Sequence, residues 1–334
     1  MIRFLVGILA CVACANSALA ADFYAGKTVT LYAGFQAGGG VDGNMRVVAH
    51  HLGEFIPGKP KIVAQNMPGA AGIANANFLY DKAERDGLTL GMPGRSWMLS
   101  PLVGEPGARY DPLKFAWIGS PGAVNTILWL RGDKGVPSLD ALKARKEPVV
   151  LGGLRLRATN SIGPLVLAQK AGWPLKVIQG FEATAKILLA IEQKEVDGIF
   201  VQKDTFLTNR PDMVRSKLVI PLVQSRPVEP GVPLLWDSIP DQAKPLMLLI
   251  MASDNFGLPL IAPPGMPAER VAILRTAFMA MARSPQFIAD SEKIGAPAGD
   301  PVDGATLTRM VADTIAGATS DVVAEYRAAM DAGK

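Results

Sequence analysis

Cysteine is nearly missing from this chain: both copies, Cys11 and Cys14, fall within the first twenty of 334 residues. The rest can build neither a disulfide framework nor a thiolate metal site. Histidine is equally scarce, with only His50 and His51. No Gly-x-Ser-x-Gly turn occurs, and no distant histidine is available to activate a serine, so nucleophilic catalysis loses its usual parts. Charged residues make up only 19% and the formal charge is +4, without a basic run of the kind that follows a phosphate backbone. Nucleic acid is therefore not an expected partner. After residue 20 no stretch reaches the ~18 uninterrupted apolar residues of a membrane span. What is present is a 49% hydrophobic composition, that of a folded chain of about two domains.

Residues 1–20 read as a secretory signal: Arg3, the apolar run Phe4 to Ala13, then Ala18-Leu19-Ala20 as a small-x-small cleavage site. The apolar middle is shorter than a ~20-residue span. The expectation is a mature protein outside the cytoplasm and not inserted in the bilayer, with lipid attachment at Cys11 as the lesser alternative.

From Lys27 onward strands and helices alternate. Val29 to Ala33, Ile62 to Ala64 and Leu88 to Met92 read as strands. Between them lie a helix with Met45, Val48, Leu52 and Phe55 on one face and a second helix over Ile73 to Tyr80. After Pro137 the rhythm resumes, with strands at Val149 to Leu151, Leu175 to Gln179, Val196 to Val201 and Val219 to Val223. The intervening helices are Ser161 to Ala171, closed by Gly172, and Ala183 to Glu192. Phe115 to Leu130 suits a segment crossing between lobes, and proline-rich 227–245 suits the return. The tail is helical, with Pro267 read as a first helical residue, Ser284-Pro285 opening a further helix, and one or two more over 305–331. The expected division is a discontinuous first lobe, 21–122 and 228–334, enclosing a second lobe, 123–227. Each lobe is expected to be α/β, a mainly parallel sheet flanked by helices.

The sharpest local pattern, Gly38-Gly39-Gly40-Val41-Asp42-Gly43, satisfies G-x-G-x-x-G after a strand and before a helix. A dinucleotide site also needs an acid at the end of the second strand, and that strand ends in Gln65-Asn66. What survives is the physics shared by such loops: glycines expose backbone N–H groups, and a helix N-terminus favours an anion. Asp42 is read as a cap of that helix. Pro68-Gly69-Ala70-Ala71-Gly72 repeats the arrangement before the second helix. His50 and His51, adjacent on a helix, point about 100° apart and do not chelate in the i, i+4 manner. Arg46, His50 and Glu54 read as a solvated face. No catalytic residue, metal site or cofactor is nominated.

Several ordered motifs together carry a resemblance. Lys27-Thr28-Val29, the Gly38-Gly39-Gly40-x-Asp42 loop with Arg46, Asn66-Met67-Pro68-Gly69-Ala70-Ala71-Gly72 and Asp86-Gly87-Leu88-Thr89 come first. Gly180-Phe181-Glu182, Glu195-Val196-Asp197-Gly198 and Ala262-Pro263-Pro264-Gly265-Met266-Pro267 with Arg270 follow. Over nearly the whole mature chain they resemble the Bug-type receptors of tripartite tricarboxylate transporters. The resemblance implies a two-lobed periplasmic-binding-protein fold with the ligand cleft between lobes. It also implies a monomeric periplasmic receptor that hands a small organic acid to a membrane permease. It further implies backbone capture of a carboxylate by loops 35–42 and 66–72, hence Phe35, Gly38, Gly39, Gly40, Asp42, Pro68, Gly69 and Ala70 as site residues, with Ser96 bordering the cleft. In the second lobe Arg155, Arg157, Thr159 and Phe181 are the candidates, and the two arginines suit a second carboxylate. There Gly152 to Ser161 departs from the family's usual Ser-x-Gly-x-Gly loop, which leaves ligand identity open. The competing classes are an exported α/β enzyme acting on a small carboxylic acid and a sensory receptor.

Overall fold

The computed structural model describes residues 23–331 except 96, 123, 155–157, 204–205, 207–209 and 297. The signal-like segment with Cys11, and the candidates Ser96, Arg155 and Arg157, lie outside the described residues. The chain divides into two compact units, with boundaries at 123/124, 255/256 and 312/313. Elements are numbered along the chain.

In the first unit β1 (Thr28–Ala33), β2 (Lys61–Asn66), β3 (Thr89–Met92), β4 (Ala116–Ser120), β10 (Leu260–Ala262) and β11 (Val302–Asp303) form one sheet, ordered β11-β4-β10-β3-β1-β2. Val29, Leu31 and Ala33 alternate along β1 and share a core with Met45, Val48 and Leu52 of α1 (Gly40–Phe55). Leu274, Phe278 and Met281 of α9 (Ala268–Ala282) and Phe287 of α10 (Pro285–Lys293) complete it. Ser284 caps α10 by accepting the Phe287 N–H at 3.3 Å, with Pro285 in its first turn, as expected. Pro267 precedes α9 as its cap rather than opening it. Also buried in this unit, Trp97 stacks on Trp117 at 5.5 Å, and the Tyr110 hydroxyl donates to the Trp97 carbonyl at 2.6 Å.

The second unit carries β5 (Thr126–Arg131), β6 (Val149–Gly152), β7 (Leu175–Ile178), β8 (Gly198–Gln202) and β9 (Val219–Gln224), ordered β7-β6-β8-β5-β9. Its helices are α3 (Leu139–Lys143), α4 (Thr159–Ala171), α5 (Thr184–Glu192), α6 (Pro211–Arg215), α7 (Leu235–Ser238) and α8 (Lys244–Phe256). α11 (Gly304–Gly317) and α12 (Ser320–Asp331) end the chain. The proline-rich segment read as a return connection leads into core. Leu235, Ile239, Leu246, Met247 and Ile250 pack with Leu128, Val166 and Phe200, and Tyr326 of α12 joins them. Gly172 closes α4 in the left-handed region, φ +68°, its N–H on the Leu167 carbonyl. The Asp197 carboxylate takes the Val150 N–H at 2.8 Å where β6 and β8 share a single backbone register pair, so the Asp197-Gly198 motif is a staple between strands.

Both sheets are mixed, which corrects the mainly parallel expectation. β1 is parallel to β2 and β3, and β6 is parallel to β7 and β8. By contrast, β10 runs against β3 and β4, β11 against β4, and β5 against β8 and β9. Strand–helix alternation specifies parallel pairing only where a helix serves as the crossover. β4 follows β3 through 3₁₀ turns at Trp97–Leu99 and Pro112–Lys114, and such a link carries no signal of direction.

In register, Ala33 sits beside Asn66 and beside Met92, so β1, β2 and β3 end together and their loops leave one edge of the sheet. Those loops touch backbone to backbone. A Cβ on Gly34 would lie 2.5 Å from the Pro93 carbonyl oxygen, and one on Gly72, at φ +97°, would lie 1.9 Å from the same atom. Gly72→Ala is therefore expected to cost about 2–4 kcal/mol of stability. Gly40→Ala, with open space around its Cβ, should be neutral or stabilising by up to ~1 kcal/mol. Urea denaturation of both variants checks this, and equal stabilities would show that the Pro93 loop yields to an added carbon.

Candidate functional site

Gly39 is the N-cap of α1 and has no side chain to offer the first turn. The first intrahelical bond runs from the Gly43 N–H to the Gly39 carbonyl, 2.9 Å, so Gly40, Val41 and Asp42 have no carbonyl one turn earlier inside the helix. Gln36 to Gly40 are exposed. The result is an open, uncapped helix end at the carboxyl edge of a parallel strand trio, the usual ligand edge of such sheets.

Asp42 holds this loop in shape. It is 3% exposed, and its Oδ2 accepts from the Gly38 N–H at 2.9 Å and from Arg46 Nε at 3.0 Å. Its Oδ1 accepts from Asn66 Nδ2 at 2.8 Å. Asn66 also donates to the Phe35 carbonyl at 3.0 Å and accepts from Arg46 at 3.2 Å. Asp42 reaches back from the third position of the helix much as the acid of a capping box does. Its bond is to the Gly38 N–H ahead of the helix, so it braces the loop and leaves the first helical N–H groups uncapped, which corrects its reading as a cap. Asn66 stands where a dinucleotide site would carry its acid, and it is committed to the loop. Burial pushes the Asp42 carboxyl up, but hydrogen bonds from Arg46, Gly38 and Asn66 and the Arg46 charge outweigh it and hold the pKa at about 2.

The second loop is built differently from the first. Gly69, Ala70, Ala71 and Gly72 all have positive φ, +43° and +52° at the two alanines, a conformation costing ~1 kcal/mol or more for each side-chain-bearing residue. The turn points its own carbonyls at the start of α2 (Ile73–Asp81). The Gly69 oxygen accepts from Gly72 and Ala74, and the Ala70 oxygen from Ile73. The α2 terminus is therefore occupied, and what this loop exposes is Pro68 to Ala71 themselves. Gly94 of the third loop, at φ +118°, lies against the Phe35 ring. Phe35, Gly38 to Gly40, Asp42 and Pro68 to Ala70 are thus drawn together at one edge of the first unit. Sequence reading missed the strained alanines, because nothing in Ala-Ala marks a left-handed turn.

In the second unit, α4 follows β6 with Ala158 as an uncapped N-cap and Thr159 as its first residue. Asn160 Oδ1 accepts from the Leu154 N–H at 3.3 Å, and the Ser161 hydroxyl donates to the Leu154 carbonyl at 3.1 Å. Phe181, partly buried, has its N–H on the Gly153 carbonyl at 3.2 Å. Thr159 and Phe181 accordingly flank the ends of β6 and β7. This unit also buries Asp254, which accepts from Thr126 Oγ1 at 2.9 Å and Gln202 Nε2 at 3.1 Å, a polar cluster that the sequence pattern did not single out.

Because the Asp42 carboxyl titrates near 2 when folded, against an ordinary 3.8, its stabilisation is fully present above about pH 4–5 and lost as pH falls toward 2. The difference amounts to about 2 kcal/mol. Asp42→Asn should be less stable than wild type by a constant margin between about pH 5 and 7, with the margin closing at lower pH. Denaturation curves across that range check it, and a margin that ignores pH would show that the charge does not hold the loop.

No protein-family model matches the chain, and no curated protein matches it. Solved structures do. A TctC solute-binding protein from Polaromonas superposes with a TM-score of 0.72 at 16% identity, covering 90% of this chain and 98% of that one. MatC from Rhodopseudomonas palustris with bound malate gives 0.53 at 21% identity, covering 89% and 99%. An R. palustris protein with adipate gives 0.56 at 19% identity, covering 90% and 97%. At these identities the likeness is one of fold: two mixed sheets, each flanked by helices, make the chain a structural match to the two-lobed TctC and Bug periplasmic solute-binding proteins.

Proposed function

We propose that this chain is an extracytoplasmic receptor that binds a small organic carboxylate and delivers it to a tripartite tricarboxylate-type membrane permease. The observation that carries the reading is the uncapped, exposed start of α1, held in place by Asp42, Asn66 and Arg46. Its free N–H groups and partial positive charge suit a carboxylate, while the nearest carboxylate of the protein itself is buried and paired. Malate and adipate in the solved relatives of like fold make dicarboxylates the first ligands to try. The signal-like residues 1–20 support a periplasmic location, and among the described residues no helix is long and apolar enough to cross a membrane.

The test is calorimetry on unfolded and refolded protein, which frees it of carried-over ligand, against a panel of mono-, di- and tricarboxylates that includes malate and adipate. Saturable one-to-one binding is expected. Gly39→Val should weaken it at least about tenfold, roughly 1.4 kcal/mol, without unfolding the protein, because Gly39 has φ −89° and no close neighbour. Gly69→Val is a poorer probe, since φ +155° and an Ala74 methyl 2.8 Å from the new Cβ would strain the fold. Arg155→Ala and Arg157→Ala should cost about 2–5 kcal/mol if either pairs with a second carboxylate. A loss below tenfold in both would make the ligand's far end neutral. Failure of every carboxylate to bind, or turnover of one, would defeat the receptor reading.

A further inference from the structure

His50 and His51, which sequence spacing set aside as a metal pair, acquire a third partner from another helix. α10 packs against α1 and brings Asp290 Oδ2 to 3.0 Å from His51 Nε2. The two imidazole rings lie 4.8 Å apart at 82°, and one donor atom from each of His50, His51 and Asp290 falls within 4.8 Å of the others. They line a pocket of about 310 Å³ together with Arg46, Val47, Lys293 and Ile294.

From this geometry we propose a surface site for a divalent transition-metal ion, of the zinc or copper class, on the side chains of His50, His51 and Asp290. Metal–ligand bonds of ~2.0–2.2 Å place neighbouring donor atoms about 2.8–3.6 Å apart. The His51–Asp290 separation already meets that condition. His50 is exposed, so its side chain has room to turn toward the other two ligands from within 4.8 Å, and the pocket leaves room for water ligands.

Two imidazoles and one carboxylate suit zinc or copper better than calcium or magnesium, which prefer oxygen donors. The surroundings resemble the outer shell such sites need. Lys293 binds Asp290 Oδ1 at 2.7 Å and leaves Oδ2 to the ion, while the Phe287 and His51 rings meet in a T-shaped arrangement with centroids 5.9 Å apart. Arg46 lines the same pocket, and its guanidinium is bonded to the Asp42 carboxylate, which moderates the repulsion it would exert on a cation. An ion here would tie α10 to the helix whose first turn forms the open loop.

The chain has only these two histidines, which makes the experiment clean. Untagged, chelator-treated protein is titrated with zinc chloride at neutral pH by calorimetry, and the two imidazoles are followed by NMR. One-to-one binding that shifts both imidazoles together is expected. His50→Gln and Asp290→Asn should each weaken it by about tenfold or more, with Glu54→Gln, whose carboxylate pairs with Lys59, unchanged. Both ligand variants alter side chains with solvent access, so folding is preserved and checked by thermal melting. No saturable binding below ~1 mM, or affinity unchanged within threefold in both ligand variants, overturns the assignment.

Discussion

A single buried carboxylate organises the first unit's loop edge. Asp42 receives a backbone N–H, an amide and a guanidinium at once, and each donor belongs to a different part of the edge: the glycine loop, the end of β2 and the next turn of α1. Removing any one donor leaves part of a desolvated charge unmatched, which is why such a group costs much to disturb and little to keep. The glycine loop has no side chains with which to hold itself. Its shape is imposed by this acid from inside the helix, together with Asn66, which holds the Phe35 carbonyl.

The same arrangement bears on the proposed carboxylate site, whose donors would be backbone N–H groups rather than cationic side chains. In α1 the helix begins without a side-chain cap, so its first N–H groups are left to solvent or ligand. α4 also lacks a side-chain cap, but its Ser161 N–H turns back to the Ala158 carbonyl. In α2 the corresponding groups are taken by carbonyls of the preceding turn. Two helix starts that look equivalent in sequence, each preceded by glycines, therefore differ in chemistry. One presents donors, and the other presents a rigid turn.

Strand and helix positions were legible because burial imposes its period on sequence: Met45, Val48 and Leu52 recur on one face of α1, and Val29, Leu31 and Ala33 alternate in β1. Gly172, Ser284 and Pro285 announced helix ends through local backbone chemistry. Strand direction was not legible for β4, β5 and β10, since pairing between distant segments leaves no local trace. Nor was the left-handed Ala70-Ala71 turn, whose conformation is forced by neighbours rather than preferred by alanine. The meeting of His51 with Asp290 depends on two helices far apart in sequence. The loops themselves were legible, and their difference in bonding was not.

The close approach of Gly34 and Gly72 to the Pro93 carbonyl has a thermodynamic consequence. With backbone against backbone and no side chain to act as a cushion, the bases of the three loops brace one another and stiffen the rim there. A ligand meeting such a rim orders little of it, and the entropic penalty that flexible binding loops carry is already absorbed in folding. For the proposed carboxylate, affinity at this edge would then depend on how well its oxygens match donors whose positions are set in advance. A stiff rim discriminates by geometry, and it tolerates chemical variety only in the parts of a ligand that lie beyond it.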